Sequence, residues 1–260
     1  MRYAILAGSN YIGTANQLAG CLNDLSNVRQ LIEPTGITIL ADLRGKDMST
    51  ENWKDALREA CSKAQYGDTV YHMHSNHGSQ IDDASETDGL AEVWCPDNFD
   101  FSPERMITDK WMAKLMDSLK PGVIWVDHSD CCHAGNSLRT LWCPNERPRY
   151  IAPLRGDIRS LWGKTRLSPM VVSGPDRHGI LLAACRSDQT SADAYIGGQS
   201  CGAFTHYFLQ AIKENPYASY ETLMIRVTQL LGIGGYNQKP EIDCYPSDEK
   251  HLFSKDVLGL

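Results

Sequence analysis

Long apolar runs are missing from this chain of 260 residues. No stretch approaches the roughly 20 apolar residues that a membrane-spanning helix needs, so no membrane partner is expected. The opening decapeptide, Met1 to Asn10, carries one charge and a four-residue apolar run before glycine and polar residues, and predicts no secretory leader. An excess of positive charge is missing too. The net charge of −7 argues against a nucleic acid or an anionic membrane as the main partner. The zinc signatures C-x-x-C and H-E-x-x-H do not occur. Nor does any internal repeat or low-complexity tract.

What is present is an ordinary globular composition, 42% hydrophobic and 22% charged. Nine cysteines are many, but the number is odd and the chain is long for a disulfide scaffold. Free thiols in a reducing, cytoplasmic compartment are the expectation.

Short apolar runs alternate with amphipathic segments. Tyr3–Leu6, Ile37–Leu40, Thr69–His74, Val123–Val126 and Ile180–Ala184 read as strands, with Pro240–Ile242 as a short last one. Leu18 to Ile32, Trp53 to Cys61, Trp111 to Leu119, Ala203 to Ile212 and Tyr220 to Leu231 read as helices. Ser49 and Thr50 are candidate caps for the second helix. Ser75 to Pro103 reads as a polar loop, and 136–169 as a long basic excursion. This alternation predicts an α/β fold, a mainly parallel sheet covered by helices on both faces. Such sheets carry their chemistry at the carboxyl ends of the strands.

Two strand ends stand out. The third runs into His72-Met73-His74-Ser75-Asn76-His77-Gly78, and the fourth into Asp127 to His133 with adjacent Cys131 and Cys132. The histidines could hold zinc, as in a metallohydrolase, but Asn76 stands where the similar H-x-H-x-D-H run has its aspartate. His72 and His74 also share one strand face, as packed core histidines would. Alternatively, a thiolate from one loop is activated by an imidazole from another. His77 and Cys132 lie 55 residues apart, near the caspase spacing of about 50. Cys61, Cys143, Cys185, Cys201 and Cys244 read as structural thiols.

Four segments, in order, then resemble the metacaspase-type caspase-like cysteine peptidases. Leu18-Ala19-Gly20-Cys21-Leu22-Asn23-Asp24 is similar to that family's G-C-x-N-D segment. His74-Ser75-Asn76-His77-Gly78-Ser79-Gln80 resembles Y-S-G-H-G-S-Q, and Asp130-Cys131-Cys132-His133-Ala134-Gly135 resembles D-S-C-H-S-G. Leu181 to Gln189 with Gly202 to Thr205 resembles the small-subunit strand and helix.

The resemblance implies a caspase-like fold in one domain over 1–260. It would comprise a large-subunit part at about 1–138, a connecting segment at 139–170 and a small-subunit part at 171–260. It implies a cysteine endopeptidase with Cys132 as nucleophile and His77 as base, the N–H groups of Gly78 and Cys132 stabilising the oxyanion. Asp24, Ser75 and Asp130 match the pocket for arginine or lysine before the scissile bond, and the expected partners are peptides with those residues. The connecting segment, rich in Arg, Lys, Pro and Gly, is expected to be an exposed loop open to self-cleavage. The family's calcium positions match Asp88, Asp109 with Lys110, and Arg139. The two cations there predict no family-type calcium site, so no cofactor is expected. The rival readings are a degenerate caspase-like scaffold and the zinc metallohydrolase. The sequence leaves the oligomeric state open.

Overall fold

The computed structural model describes residues 1–85, 89–132, 147–152, 178–186, 189–245 and 258. Its centre is a six-stranded sheet in the order β12-β9-β7-β3-β1-β2. The strands are β1 (Arg2–Gly8), β2 (Thr38–Arg44), β3 (Thr69–Ser75), β7 (Ile124–Asp130), β9 (His178–Ala183) and β12 (Glu241–Tyr245). All neighbours pair in parallel except β12, which runs against β9.

Strand periodicity sends successive residues to opposite faces, and each face meets its own helices. Leu6, Met73, Val126 and Leu182 pack with residues of α1 (Cys21–Ile32), α4 (Ala203–Glu214) and α5 (Tyr220–Ile233). Ile5, Val70, Trp125 and Leu181 pack with residues of α2 (Thr50–Lys63) and α3 (Asp109–Met116). The helices form where the pattern dictates. In α2 the buried Trp53, Ala56, Leu57, Ala60 and Cys61 recur at three- and four-residue spacing, and the Ser49 side chain accepts the Asn52 N–H as N-cap.

Two smaller sheets were not anticipated. The expected polar loop after Ser75 instead holds β4 (His77–Asp82), β5 (Leu90–Cys95) and β6 (Ile107–Thr108), an antiparallel set. The run Leu90-Ala-Glu-Val-Trp-Cys95 is fully buried, which a polar loop would not be. The other set is β8 (Arg147–Pro148), β10 (Ala192–Ile196) and β11 (Gln199–Gly202). A two-residue turn, Gly197-Gly198, joins β10 to β11 with both φ angles positive, as a tight hairpin requires. That dipeptide was a usable sequence signal.

The basic excursion corrects one expectation. Most of it lies outside the described residues, but Arg149 is completely buried, not exposed. The parallel strands end in register, Gly8 opposite Ser75 and Ser75 opposite Asp130. This shared edge, with β8 and β10 beside it, carries the site.

Candidate active site

Arg149 ends among four acidic or hydroxyl side chains at this edge. Its Nη2 lies 2.8 Å from Asp24 Oδ2 and 3.0 Å from Asp193 Oδ1. Its Nη1 lies 2.7 Å from Ser75 Oγ and 3.2 Å from Asp130 Oδ1. Asp24 comes from the first turn of α1, Ser75 and Asp130 from the last residues of β3 and β7, and Asp193 from β10. The structure therefore brings the three pocket residues expected from sequence together, around a cation of the same chain.

The surrounding groups hold these acids firmly. Asp130 accepts from the Ser191 hydroxyl at 2.7 Å, and from the Thr205 hydroxyl and N–H at 2.6 and 3.0 Å. Burial opposes its charge, but the Arg149 guanidinium and these donors outweigh it, so Asp130 titrates below the usual carboxylate range. Asp24 has the Gly202 N–H and Ser75 hydroxyl as donors besides Arg149. There burial wins, against the Arg149 charge and with the neighbouring Asp130 adding repulsion, and lifts it to about 7. Gly202 must be glycine: a Cβ there would lie 2.1 Å from Asp130 Oδ2 and 2.6 Å from Arg149 Nη1.

The Arg149 carbonyl is held as closely as the side chain. It accepts the Gly78 N–H at 3.0 Å and the Cys132 N–H at 3.2 Å. These are the two N–H groups singled out from sequence. A Cβ on Gly78 would lie 1.7 Å from the Cys132 carbonyl, so only glycine permits the approach.

The adjacent cysteines part ways. Cys131 is packed in the apolar cluster with α2 and α3, and burial raises its thiol well above the usual value. The Cys132 sulfur lies in the site and accepts the Ser191 N–H at 2.9 Å. His77 Nε2 lies 2.7 Å from the Asn16 carbonyl, which can only accept; Nε2 therefore carries the hydrogen and Nδ1 the lone pair. Nδ1 is buried and has no hydrogen-bond partner. Burial lowers His77 to about 4, against the raising effect of the Asn16 carbonyl, so the ring is a neutral base at pH 7.

Asn76, where the family pattern has glycine, has a structural role. Its Oδ1 lies 2.7 Å from His74 Nδ1, and its amide donates to the His77 carbonyl at 2.7 Å. His74, His72 and Asp127 form the one possible metal-holding group found among the described residues. Trp53 Nε1 can only donate, and it lies 3.1 Å from His72 Nε2. That leaves the His72 hydrogen on Nδ1, 3.2 Å from Asp127 Oδ2, a donor rather than a metal ligand. His74 Nε2 pairs with the other Asp127 oxygen at 3.2 Å.

Asp88, His133, Ala134, Gly135, Arg139 and Cys143 lie outside the described residues. Of the other cysteines read as structural, Cys61, Cys185 and Cys201 are buried, and Cys244 is half-buried. Sequence reasoning missed Asn16, Arg149, Ser191 and Asp193. Asp193 sits on a hairpin strand that was not foreseen, and no spacing links it to Asp24. It also accepts the N–H groups of Ala19 and Gly20 at 2.8 and 2.9 Å, tying β10 to the start of α1.

Two buried histidines give the fold a pH dependence. His128 sits between the Tyr71 hydroxyl at 3.0 Å and the Thr205 hydroxyl at 3.1 Å, and burial lowers it to about 4, as for His77. In the unfolded chain both protonate near 6.5. Their contribution is therefore complete above pH 6.5 and is lost as pH falls toward 4. For each this is about 3 kcal/mol at most. Asp24, lifted to about 7, acts in the opposite sense over the same range; with two histidines against one acid the urea midpoint is expected to fall between pH 6.5 and 4.5, and His128→Gln should flatten that fall. An unchanged slope in the variant would remove His128 from the account.

Comparison with known proteins decides the family. The model of the family described as "Caspase domain" matches residues 1–251. The chain belongs to the caspase family. This caspase domain is 30% identical to Metacaspase-1B of Neurospora crassa, over 96% of its own length and 68% of the relative's. It is 29% identical to Metacaspase-1A of an Aspergillus fumigatus strain, over 97% of its length and 71% of that protein's. A solved Geobacter sulfurreducens protein shares the fold at a TM-score of 0.72 and 22% identity, covering 94% of this chain and 93% of its own. The α/β fold is thus caspase-like, and the chain is a metacaspase-related, cysteine-type endopeptidase. No helix among the described residues is long and apolar enough to cross a membrane.

Proposed function

We propose that this caspase domain cleaves peptide bonds after arginine or lysine, with Cys132 as nucleophile and His77 as base. The observation that carries this reading is the seating of Arg149. A guanidinium fills a pocket of three carboxylates, Asp24, Asp130 and Asp193, while its carbonyl rests on the N–H groups of Gly78 and Cys132. This is how a substrate's residue before the scissile bond would sit. Charge-assisted hydrogen bonds select the cation, and two fixed donors await the oxygen on which negative charge develops.

The chemistry follows from the groups present. His77 Nδ1 takes the Cys132 thiol proton, the sulfur attacks the carbonyl carbon, and an acyl-enzyme forms. The imidazolium then protonates the leaving amine, and water completes hydrolysis. No metal enters these steps. Lys110, which stands where the family pattern has an acid, pairs its Nζ with Asp83 Oδ2 at 2.6 Å. Within the buried trio, His72 Nδ1 donates to Asp127, and His74 donates through Nδ1 to Asn76 Oδ1. The same reading keeps 1–138 and 171–260 as two parts of one domain, with self-processing in the connecting segment. Peptide partners suit the acidic chain better than nucleic acid. The eight free cysteines among the described residues suit a reducing, cytoplasmic setting.

A scaffold without activity is the alternative. An arginyl chloromethyl ketone separates the two. Alkylation confined to Cys132, by mass spectrometry of the labelled peptide, is expected of the peptidase once the pocket is emptied by Arg149→Ala; an unlabelled Cys132 in that variant, folded, rejects it.

A further inference from the structure

We propose that His74 and Asn76 form a buried hydrogen-bond relay that positions and strengthens the Gly78 N–H, one of the two donors to the oxyanion. The inference rests on the peptidase reading above and adds two positioning residues to it.

Both residues stand where the similar Y-S-G-H-G-S-Q run has something else, tyrosine in place of His74 and glycine in place of Asn76. The two departures touch each other, His74 Nδ1 lying 2.7 Å from Asn76 Oδ1. A glycine has no side chain to make this contact, so the link belongs to the pair. Its direction follows from the far end. The His77 carbonyl can only accept, so the Asn76 group 2.7 Å from it is the NH2. That turns Oδ1 toward His74 and puts a His74 hydrogen on Nδ1.

The relay ends at the reacting atoms. The His77 carbonyl and the Gly78 N–H are the two ends of one peptide group, kept planar by resonance. A hydrogen bond accepted at the oxygen polarises that group and makes its N–H a better donor. The Asn76 side chain is itself an amide and passes on the same polarisation from His74. The path thus runs from His74 Nδ1 to Asn76 Oδ1, from Asn76 Nδ2 to the His77 oxygen, and from the Gly78 N–H into the site. There the acceptor is the Arg149 carbonyl, at 3.0 Å. During catalysis it would be the substrate oxygen that gains negative charge.

Every part of the path is fixed and shielded from water. His74 and Asn76 are completely buried. His74 Nε2 lies 3.2 Å from Asp127 Oδ1, and the ring packs against Trp94 with 4.2 Å between centroids. The His77 N–H, on the preceding peptide, donates to the Tyr11 hydroxyl at 3.0 Å. The peptides on both sides of His77 are therefore anchored, the second of them by Asn76. Away from water each dipole acts more strongly on the next. The relay moves no proton and forms no covalent bond; it acts through Gly78.

The test cuts the relay at two points, with Asn76→Ala and His74→Phe. Neither replaces the nucleophile, the base or a pocket acid. Labelling histidine with ¹³C at the carbonyl and glycine with ¹⁵N selects two amides in the whole chain, Gly78 after His77 and Gly179 after His178. In Asn76→Ala the Gly78 amide proton should move upfield and exchange faster with solvent, while Gly179 stays in place. His74→Phe should move Gly78 the same way by less. On a fluorogenic arginyl amide, with the pocket emptied by Arg149→Ala, Asn76→Ala should lower kcat roughly tenfold, short of the 10²–10³-fold typical of a lost oxyanion donor. KM should stay within about twofold, since the donor matters most in the transition state. The double variant should lose no more than Asn76→Ala, because both changes act through one path. A Gly78 amide that stays in place in folded Asn76→Ala, or a double variant whose losses multiply, overturns the relay and leaves the peptidase reading standing. If the emptied chain does not fold, the Gly78 amide decides alone. A folded, emptied chain that is inert toward the amide overturns the peptidase reading and the relay with it.

Discussion

Cys132→Ala is expected to abolish peptide cleavage, whereas Cys131→Ser is expected to keep most of it. Removing a catalytic nucleophile costs on the order of 10⁴-fold or more. Cys131 is packed against α2 and α3 with its thiol held neutral by burial, so it has no route to substrate. A serine there would lie near the Ser129 hydroxyl, 3.4 Å from the present sulfur, and the buried hydroxyl would keep a partner. Hydrolysis of an arginyl amide, measured alongside the melting temperature, checks both. Cleavage that survives Cys132→Ala but not Cys131→Ser would reverse the assignment.

Asp130→Asn and Asp24→Asn are expected to lower kcat/KM for arginyl substrates by about 30-fold or more, the lower end of the 2–5 kcal/mol typical for one partner of a buried charge pair. The larger loss should come from Asp130, the carboxylate held charged by Arg149, Thr205 and Ser191. Asp24 is lifted to about 7 and is partly protonated at neutral pH, so its contribution should grow between pH 6 and 8. The melting temperature, measured alongside, separates a loss of recognition from a loss of fold. Arginyl substrates cleaved by both variants at the wild-type rate would place the specificity elsewhere.

The sequence made the scaffold legible where one period dominated. Trp53, Ala56, Leu57, Ala60 and Cys61 declare one helical face, and Tyr3 to Leu6 declares a strand between Gly/Pro-bounded segments. Six residues of the candidate site were legible by likeness of motif: His77, Gly78, Cys132, Asp24, Ser75 and Asp130 meet at one sheet edge. The remainder was illegible for a physical reason. Asp193, Ser191 and Arg149 reach the site by tertiary pairing of β8 with β10, and such long-range register leaves no local periodicity. Arg149 was one basic residue among several in a segment read as solvated, and its burial depends on acids distant in the chain. Asn76 looked like a bare departure from a glycine; its amide turns out to bridge His74 and the His77 carbonyl.

The distribution of the pocket along the chain also sets an order of events during synthesis. Asp24 and Asp130 leave the ribosome before Arg149, and Asp193 after it. Until Arg149 emerges, two carboxylates destined for a fully buried position have no counter-ion, and burying them uncompensated is costly. Until Asp193 and its hairpin emerge, β8 has no strand to pair with. Residues from both ends of the chain are therefore needed before the Arg149 side chain has all its partners, so the pocket is completed only after β10 has been made.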